Sequence, residues 1–115
     1  MTDINSTLNE RQSTHGDFRE NGRIMQILKA DIKTGLNWPT ADNGKITFTN
    51  KRDATPLSFE QMEALEMIQH KIGRILSGNP NEPDHWKDIA GYATLVFNIL
   101  TTGTSHISAQ QTKAD

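Results

Sequence analysis

Apolar residues recur at the spacing of one helix face in three separate stretches of this chain. The first stretch follows the turn THGD at 14–17, where Asp17 is placed to accept from the free amides of a first helical turn. It runs to Gly35, a typical residue just past the last helical position. The pattern predicts a helix between these two residues. Its apolar face consists of Phe18, Ile24, Ile27, Leu28 and Ile32.

The second predicted helix has clear signals at both ends. Ser58 followed by Gln61 forms a capping box, in which each side chain bonds the backbone amide of the other residue. Gly78 marks the end of the helix. Gly73 lies inside it, which indicates close approach by another helix or a ligand, or else a tolerated defect. The largely apolar stripe consists of Met62, Leu65, Ile68, Gln69, Ile72, Ile75 and Leu76.

The third predicted helix begins at Pro83, because proline is favoured at the first helical position. From 89 to 100 it is apolar nearly all round, which indicates burial on more than one side. We therefore expect a homo-oligomer, most simply a dimer. The alternative is that the middle of the chain covers the second face. The main face consists of Trp86, Ile89, Ala90, Ala93, Val96, Phe97 and Leu100, with Tyr92, Leu95 and Ile99 beside it.

The stretch 35–57 is the least regular part of the chain. DNG at 42–44 is a turn signal, and KITFT at 45–49 alternates with the period of a strand. Two interpretations stay open: a short β-hairpin formed with the 36–38 region, or a long ordered loop. The predicted fold class is all-α, with three principal helices, of which the last two form an antiparallel hairpin. The long middle loop can contain the short β-hairpin.

Composition adds boundaries to this fold. Hydrophobic residues make up 34% of the 115 residues, and the polar excess lies at the two ends. We therefore expect disordered tails at 1–13 and 101–115 around a single helical domain at 14–100.

Charge and residue types exclude several classes of function. A formal net charge of −2 produces no broad field for nucleic acid or an anionic membrane surface. The chain has no cysteine, so disulfide and thiolate chemistry are excluded. The start MTDINSTLNERQ lacks the features of a signal peptide, and 89–100 is too short to cross a bilayer. The sequence therefore predicts a soluble cytoplasmic protein.

Acidic pairs on the second and third predicted helices are the main candidates for chemistry. Asp84 and Asp88 share one helix face, and Glu63 and Glu66 share a side of the other helix. Two such pairs on antiparallel helices can converge on Mg²⁺, which prefers carboxylate oxygens and keeps waters that phosphates can replace. The alternative is structural: Asp84 suits the first turn of a helix, and the other acids suit a solvated surface.

Basic residues near these acids are the candidates for phosphate binding. Lys71 and Arg74 follow the acidic pair on the second predicted helix, and Arg can hold phosphate oxygens in bidentate fashion. His70 and Asp17 are further candidate site residues. No zinc spacing, dinucleotide fingerprint, Walker-type loop or hydrolase elbow is present in the sequence.

Two blocks of the chain resemble a family of small helical proteins encoded by bacteriophages and prophages. The blocks are THGDF at 14–18 with Asn21, and HKIGRILSG at 70–78 with DHWKDIAGYATL at 84–95. Proteins of that family carry a similar G-D-F start and a W-x-D-I-A-G-Y helix near the C-terminus. The resemblance implies a helical fold and a phage or prophage setting.

The chain is more distantly similar to the MazG-like all-α nucleotide pyrophosphohydrolases. Those enzymes pair an E-x-x-E helix with a later E/D-x-x-D helix around Mg²⁺, usually across a dimer. EALE at 63–66 matches the first element, whereas Asp84 and Asp88 are one residue too far apart for the second. The resemblance implies metal binding by Glu63, Glu66, Asp84 and Asp88, and phosphate contacts by Lys71 and Arg74.

Two hypotheses of different classes follow. The first is a phage or prophage accessory protein that binds a nucleotide with Mg²⁺ and, as an enzyme, would hydrolyse a phosphoanhydride. The second is a non-catalytic helical interaction module whose last helix contacts a partner protein and whose acids form a solvated rim.

Overall fold

The chain folds as a mixed α/β domain rather than the predicted all-α domain. A computed structural model describes residues 2–103. Within them, the helices are α1 (Thr2–His15), α2 (Phe18–Thr34), α3 (Phe59–Ser77) and α4 (Pro83–Thr102). The strands β1 (Thr40–Asp42), β2 (Lys45–Thr49) and β3 (Pro56–Leu57) form an antiparallel sheet in the order β1-β2-β3.

Local capping chemistry fixes the helix ends, as predicted. The Asp17 side chain accepts from the Glu20 amide at 3.4 Å, and Gly35 follows the last residue of α2. The capping box of Ser58 and Gln61 is present at the start of α3. Pro83 opens α4.

The sheet corrects the prediction of a loop with at most one hairpin. Asn43 and Gly44 have φ of 52° and 78°, as a type I′ turn requires, and they join Asp42 to its partner Lys45. The backbone N–H of Asn37 donates to the Thr49 carbonyl at 3.0 Å, so the 36–38 region does pair with the end of β2. The prediction failed because β1 has three residues and β3 has two, too few for a visible alternation.

The sheet packs on the start of α3. Phe48 of β2 lies edge-on to Phe59, with ring centroids 6.2 Å apart and planes at 81°. Since α2 also packs on α3, the sheet, α2 and α3 enclose a space between them.

Helix α3 is the centre of the fold, because it packs against both α2 and α4. The hydrophobic residues buried in the described chain are Met25 of α2 with Met62 and Ala64 of α3. No large side chain of residues 2–103 is less than 2% exposed. A core of this size is small for a domain of about 100 residues.

The structure describes nearly all of the N-terminal end of the chain but only part of the predicted C-terminal tail. Residues 2–15 form α1, in a stretch that composition alone predicts to be disordered. Of the predicted C-terminal tail at 101–115, residues 101 and 102 end α4, and the part beyond Gly103 lies outside the described residues. The predicted domain limits of 14 and 100 stay a prediction.

Candidate functional site

An ion pair links two of the predicted site residues. Lys71 Nζ lies 2.9 Å from Asp88 Oδ2, across the interface between α3 and α4. The Lys71 side chain is 11% exposed, and its hydrogen bond lowers the pKa of the Asp88 carboxyl. A predicted phosphate contact and a predicted metal ligand therefore neutralise each other within one chain.

The other predicted acids lie at different levels along this helix pair. Glu66 and Glu63 precede Lys71 by five and eight residues, so they lie about 7.5 and 12 Å from it along the α3 axis. Because α4 runs antiparallel, Asp84 lies about 6 Å from Asp88 in the opposite direction. Among residues 2–103, no three His, Asp or Glu side chains are grouped as ligands for one metal ion. One copy of the chain does not bring the four carboxylates together.

The remaining predicted site residues have separate environments. Burial lowers the pKa of His70, and the charges of Lys29 and Arg74 lower it further. Arg74 is half-buried near the end of α3, and Asp17 caps α2. Among the described residues, neither His70 nor Arg74 forms an ion pair with Asp84 or Asp88.

A row of exposed apolar residues lies along α4. We define the α4 stripe as five residues at alternating spacings of four and three, the repeat of a coiled-coil seam. Trp86, Phe97 and Leu100 are 55%, 63% and 67% exposed, and the two alanines between them are also exposed. The stripe consists of Trp86, Ala90, Ala93, Phe97 and Leu100.

The α4 stripe is exposed because α3 covers a neighbouring face of the helix. His85 is only 3% exposed, and Ile89, Tyr92, Val96 and Ile99 are half-buried. At 100° per residue, these residues lie about a quarter-turn round the helix from the α4 stripe. The face predicted as a single apolar surface is therefore divided between a covered part and an open part.

An apolar groove borders the α4 stripe. It has a volume of about 310 Å³ and lies between β3, α3 and α4. Leu65 and Ile68 form its α3 wall, whereas Ala93 and Val96 form its α4 wall. Ala93 belongs to both features, so the stripe and the groove form one continuous apolar surface.

Comparisons of the chain with protein-family models, with curated proteins and with solved structures give no match. Of the helices in residues 2–103, none has both the length and the apolar character needed to cross a membrane.

Proposed function

We propose that this protein is a non-catalytic helical interaction module that pairs with a second copy of itself through the α4 stripe. The supporting observation is the coiled-coil spacing of five exposed apolar residues beside an apolar groove. Since the core of one chain is small, a second copy would supply the missing burial.

Charge favours a second copy as the occupant. From 89 to 102, α4 contains no charged residue, so pairing this segment with itself brings no like charges together. A charged partner would gain no complementary charge there. A two-fold interface uses the same surface on both copies, which an uncharged stripe satisfies.

Side-chain size suits an antiparallel arrangement of the two helices. When the seam positions interleave, Trp86 lies opposite Phe97 of the second copy, and Ala90 lies opposite Ala93. Small residues in the middle allow the helices to approach closely. The large rings at the two ends then supply most of the buried area.

The Mg²⁺-dependent nucleotide hypothesis and the phage or prophage setting stay predictions. The single chain gives the metal site no support, because Lys71 pairs with Asp88 and the other acids lie apart.

The test compares two apolar-to-acid substitutions on one helix. Phe97→Asp places a charge in the α4 stripe, whereas Leu95→Asp places one at a 43% exposed position outside it. Sedimentation equilibrium over a hundredfold range of concentration should give a dimer for the wild type and for Leu95→Asp. Phe97→Asp should be monomeric over the same range. The wild-type Tm should also rise with protein concentration, because association stabilises the fold by mass action.

Two results would overturn the proposal. One is a wild type that stays monomeric with a Tm independent of concentration. The other is equal dissociation of both variants, which would place the contact outside the α4 stripe. Circular dichroism of both variants checks that each retains its helices.

A further inference from the structure

A second site candidate lies on the opposite side of α3, in the space between α2, α3 and the sheet. This cavity has a volume of about 610 Å³. Cavities that hold small organic ligands have volumes of about 300–1,000 Å³. It shares no residue with the α4 stripe, so ligand binding in the cavity does not depend on self-association.

Two lysines give the cavity a positive side. Lys29 and Lys33 are one turn apart on α2, so both reach the same wall. Neither forms an ion pair with a carboxylate of the described chain. Glu66 is the only acid in the cavity lining within residues 2–103, so the cavity has an excess of one positive charge.

Aromatic and apolar side chains form the other walls. Phe48 of β2 and Met62 of α3 line the cavity, and Trp38 lies at its edge. Trp38 is 91% exposed, which is unusual for the largest apolar side chain. The residue before it is fixed, because Asn37 Nδ2 donates to Thr49 Oγ1 at 3.0 Å and to the Asn50 carbonyl at 2.9 Å. The backbone that carries Trp38 is therefore anchored at the edge of the cavity.

We propose that this cavity binds a small organic anion with a planar apolar ring. The acidic group of the ligand lies between Lys29 and Lys33, and the ring packs against Trp38 and Phe48. Ammonium groups form short charge-assisted hydrogen bonds to carboxylate and phosphate oxygens alike. The proposed ligand is therefore a ring that bears one anionic group. The experiment below tests a carboxylate and a phosphate ester separately.

Isothermal titration calorimetry of the full chain tests this proposal with three probes of one shape: 2-naphthoate, 2-naphthyl phosphate and the neutral 2-naphthalenemethanol. At least one anion should bind saturably, with the neutral alcohol at least tenfold weaker. The stronger anion identifies the ligand as a carboxylic acid or a phosphate ester. Loss of a hydrogen bond to a charged group weakens binding by about tenfold or more. The double variant K29Q/K33Q should show at least that loss.

The matched control is K45Q/K51Q, which removes the same charge from exposed positions outside the cavity. It should keep wild-type affinity, whereas Trp38→Ala should weaken both anions. Failure of both anions to bind would overturn the proposal. Equal binding of the neutral probe, or equal losses in the two double variants, would also overturn it.

Discussion

The two sides of the α3–α4 hairpin use glycine and apolar residues in different ways. On the α2 side, a Cβ added at Gly73 would lie 2.6 Å from Met25 Sδ and 2.9 Å from Asn21 Oδ1. On the outer side, a Cβ added at Gly91 of α4 would meet no atom within 4 Å. The α2 side is packed around Gly73, whereas the outer side is open around Gly91.

Polar contacts show the same contrast. Gln69 of α3 is 8% exposed, and its amide donates to the Leu28 carbonyl of α2. The Trp86 indole donates to the Pro80 carbonyl at 2.8 Å, yet its ring remains 55% exposed. The apolar residues of α4 do not form an interface by themselves, because no other helix of the described chain covers the α4 stripe. The following predictions test whether the α2 side is as tightly fitted as this contrast implies.

The largest effect is expected at Gly16, which lies where α2 begins against the end of α3. Its φ is +84°, and an added Cβ would lie 1.9 Å from the Ser77 carbonyl oxygen. Gly16→Ala should lower the free energy of unfolding by about 3 kcal/mol or more, since backbone strain and a backbone clash add together. Urea denaturation measures this change.

Gly44 is the matched control for that substitution. Its φ is +78°, but no atom lies within 4 Å of an added Cβ. Gly44→Ala should lower the free energy of unfolding only by the strain of a positive φ, about 1–2 kcal/mol. Equal losses for the two variants would mean that the backbone at Ser77 moves away from the added Cβ at no measurable cost.

A smaller effect is expected from the helical glycines. Gly91→Ala should raise the free energy of unfolding by about 0.5–1 kcal/mol, because alanine is the better helix former and the site is open. Gly73→Ala should lower it by about 1–2 kcal/mol, since Met25 is 4% exposed and must move. Urea denaturation of both variants under one set of conditions gives the difference. A stabilising Gly73→Ala would show that Met25 repacks freely.

The sequence predicted those features whose cause is local. Asp17 and Ser58 accept from amides within one turn of themselves, and Pro83 lacks the amide that the first helical position leaves unpaired, so a single chain segment reveals the helix starts. The sheet depends on pairing between short strands that are not recognisable separately. The sequence indicated only β2, through the alternation of KITFT at 45–49, and its turn, through Asn43 and Gly44.

The candidate sites were harder to predict, because they depend on how helices are rotated. Since α4 is apolar nearly all round from 89 to 100, its periodicity could not indicate which face meets α3. The separation of Glu63 from Asp84 likewise follows from the register between α3 and α4, which Lys71 and Asp88 make visible. The missed Lys29 and Lys33 did have a signal, namely their spacing of four on one helix.

The smallest effect concerns the polar contact between α3 and α4. The pKa of Asp88 is lower in the folded chain because Lys71 donates to its carboxylate. The ionised form therefore stabilises the fold above the unfolded pKa of about 3.9, and this contribution disappears as the pH falls through the folded value. Asp88→Asn should lower the Tm at pH 6 and should lose less stability than the wild type between pH 6 and pH 3.

Glu20→Gln is the control for Asp88→Asn, because Arg23 also lowers the pKa of Glu20. In that pair the Arg23 and Glu20 side chains are 61% and 47% exposed, so water solvates either charge when the other is removed. The Lys71 side chain is only 11% exposed, so water cannot solvate its charge in the same way when Asp88 is replaced. Loss of the partner of Lys71 should therefore lower the Tm more than loss of the partner of Arg23. Thermal denaturation at pH 6 should show a lower Tm for Asp88→Asn and no measurable change for Glu20→Gln. The same Tm for both variants would mean that the ion pair between α3 and α4 contributes no more than one on the surface.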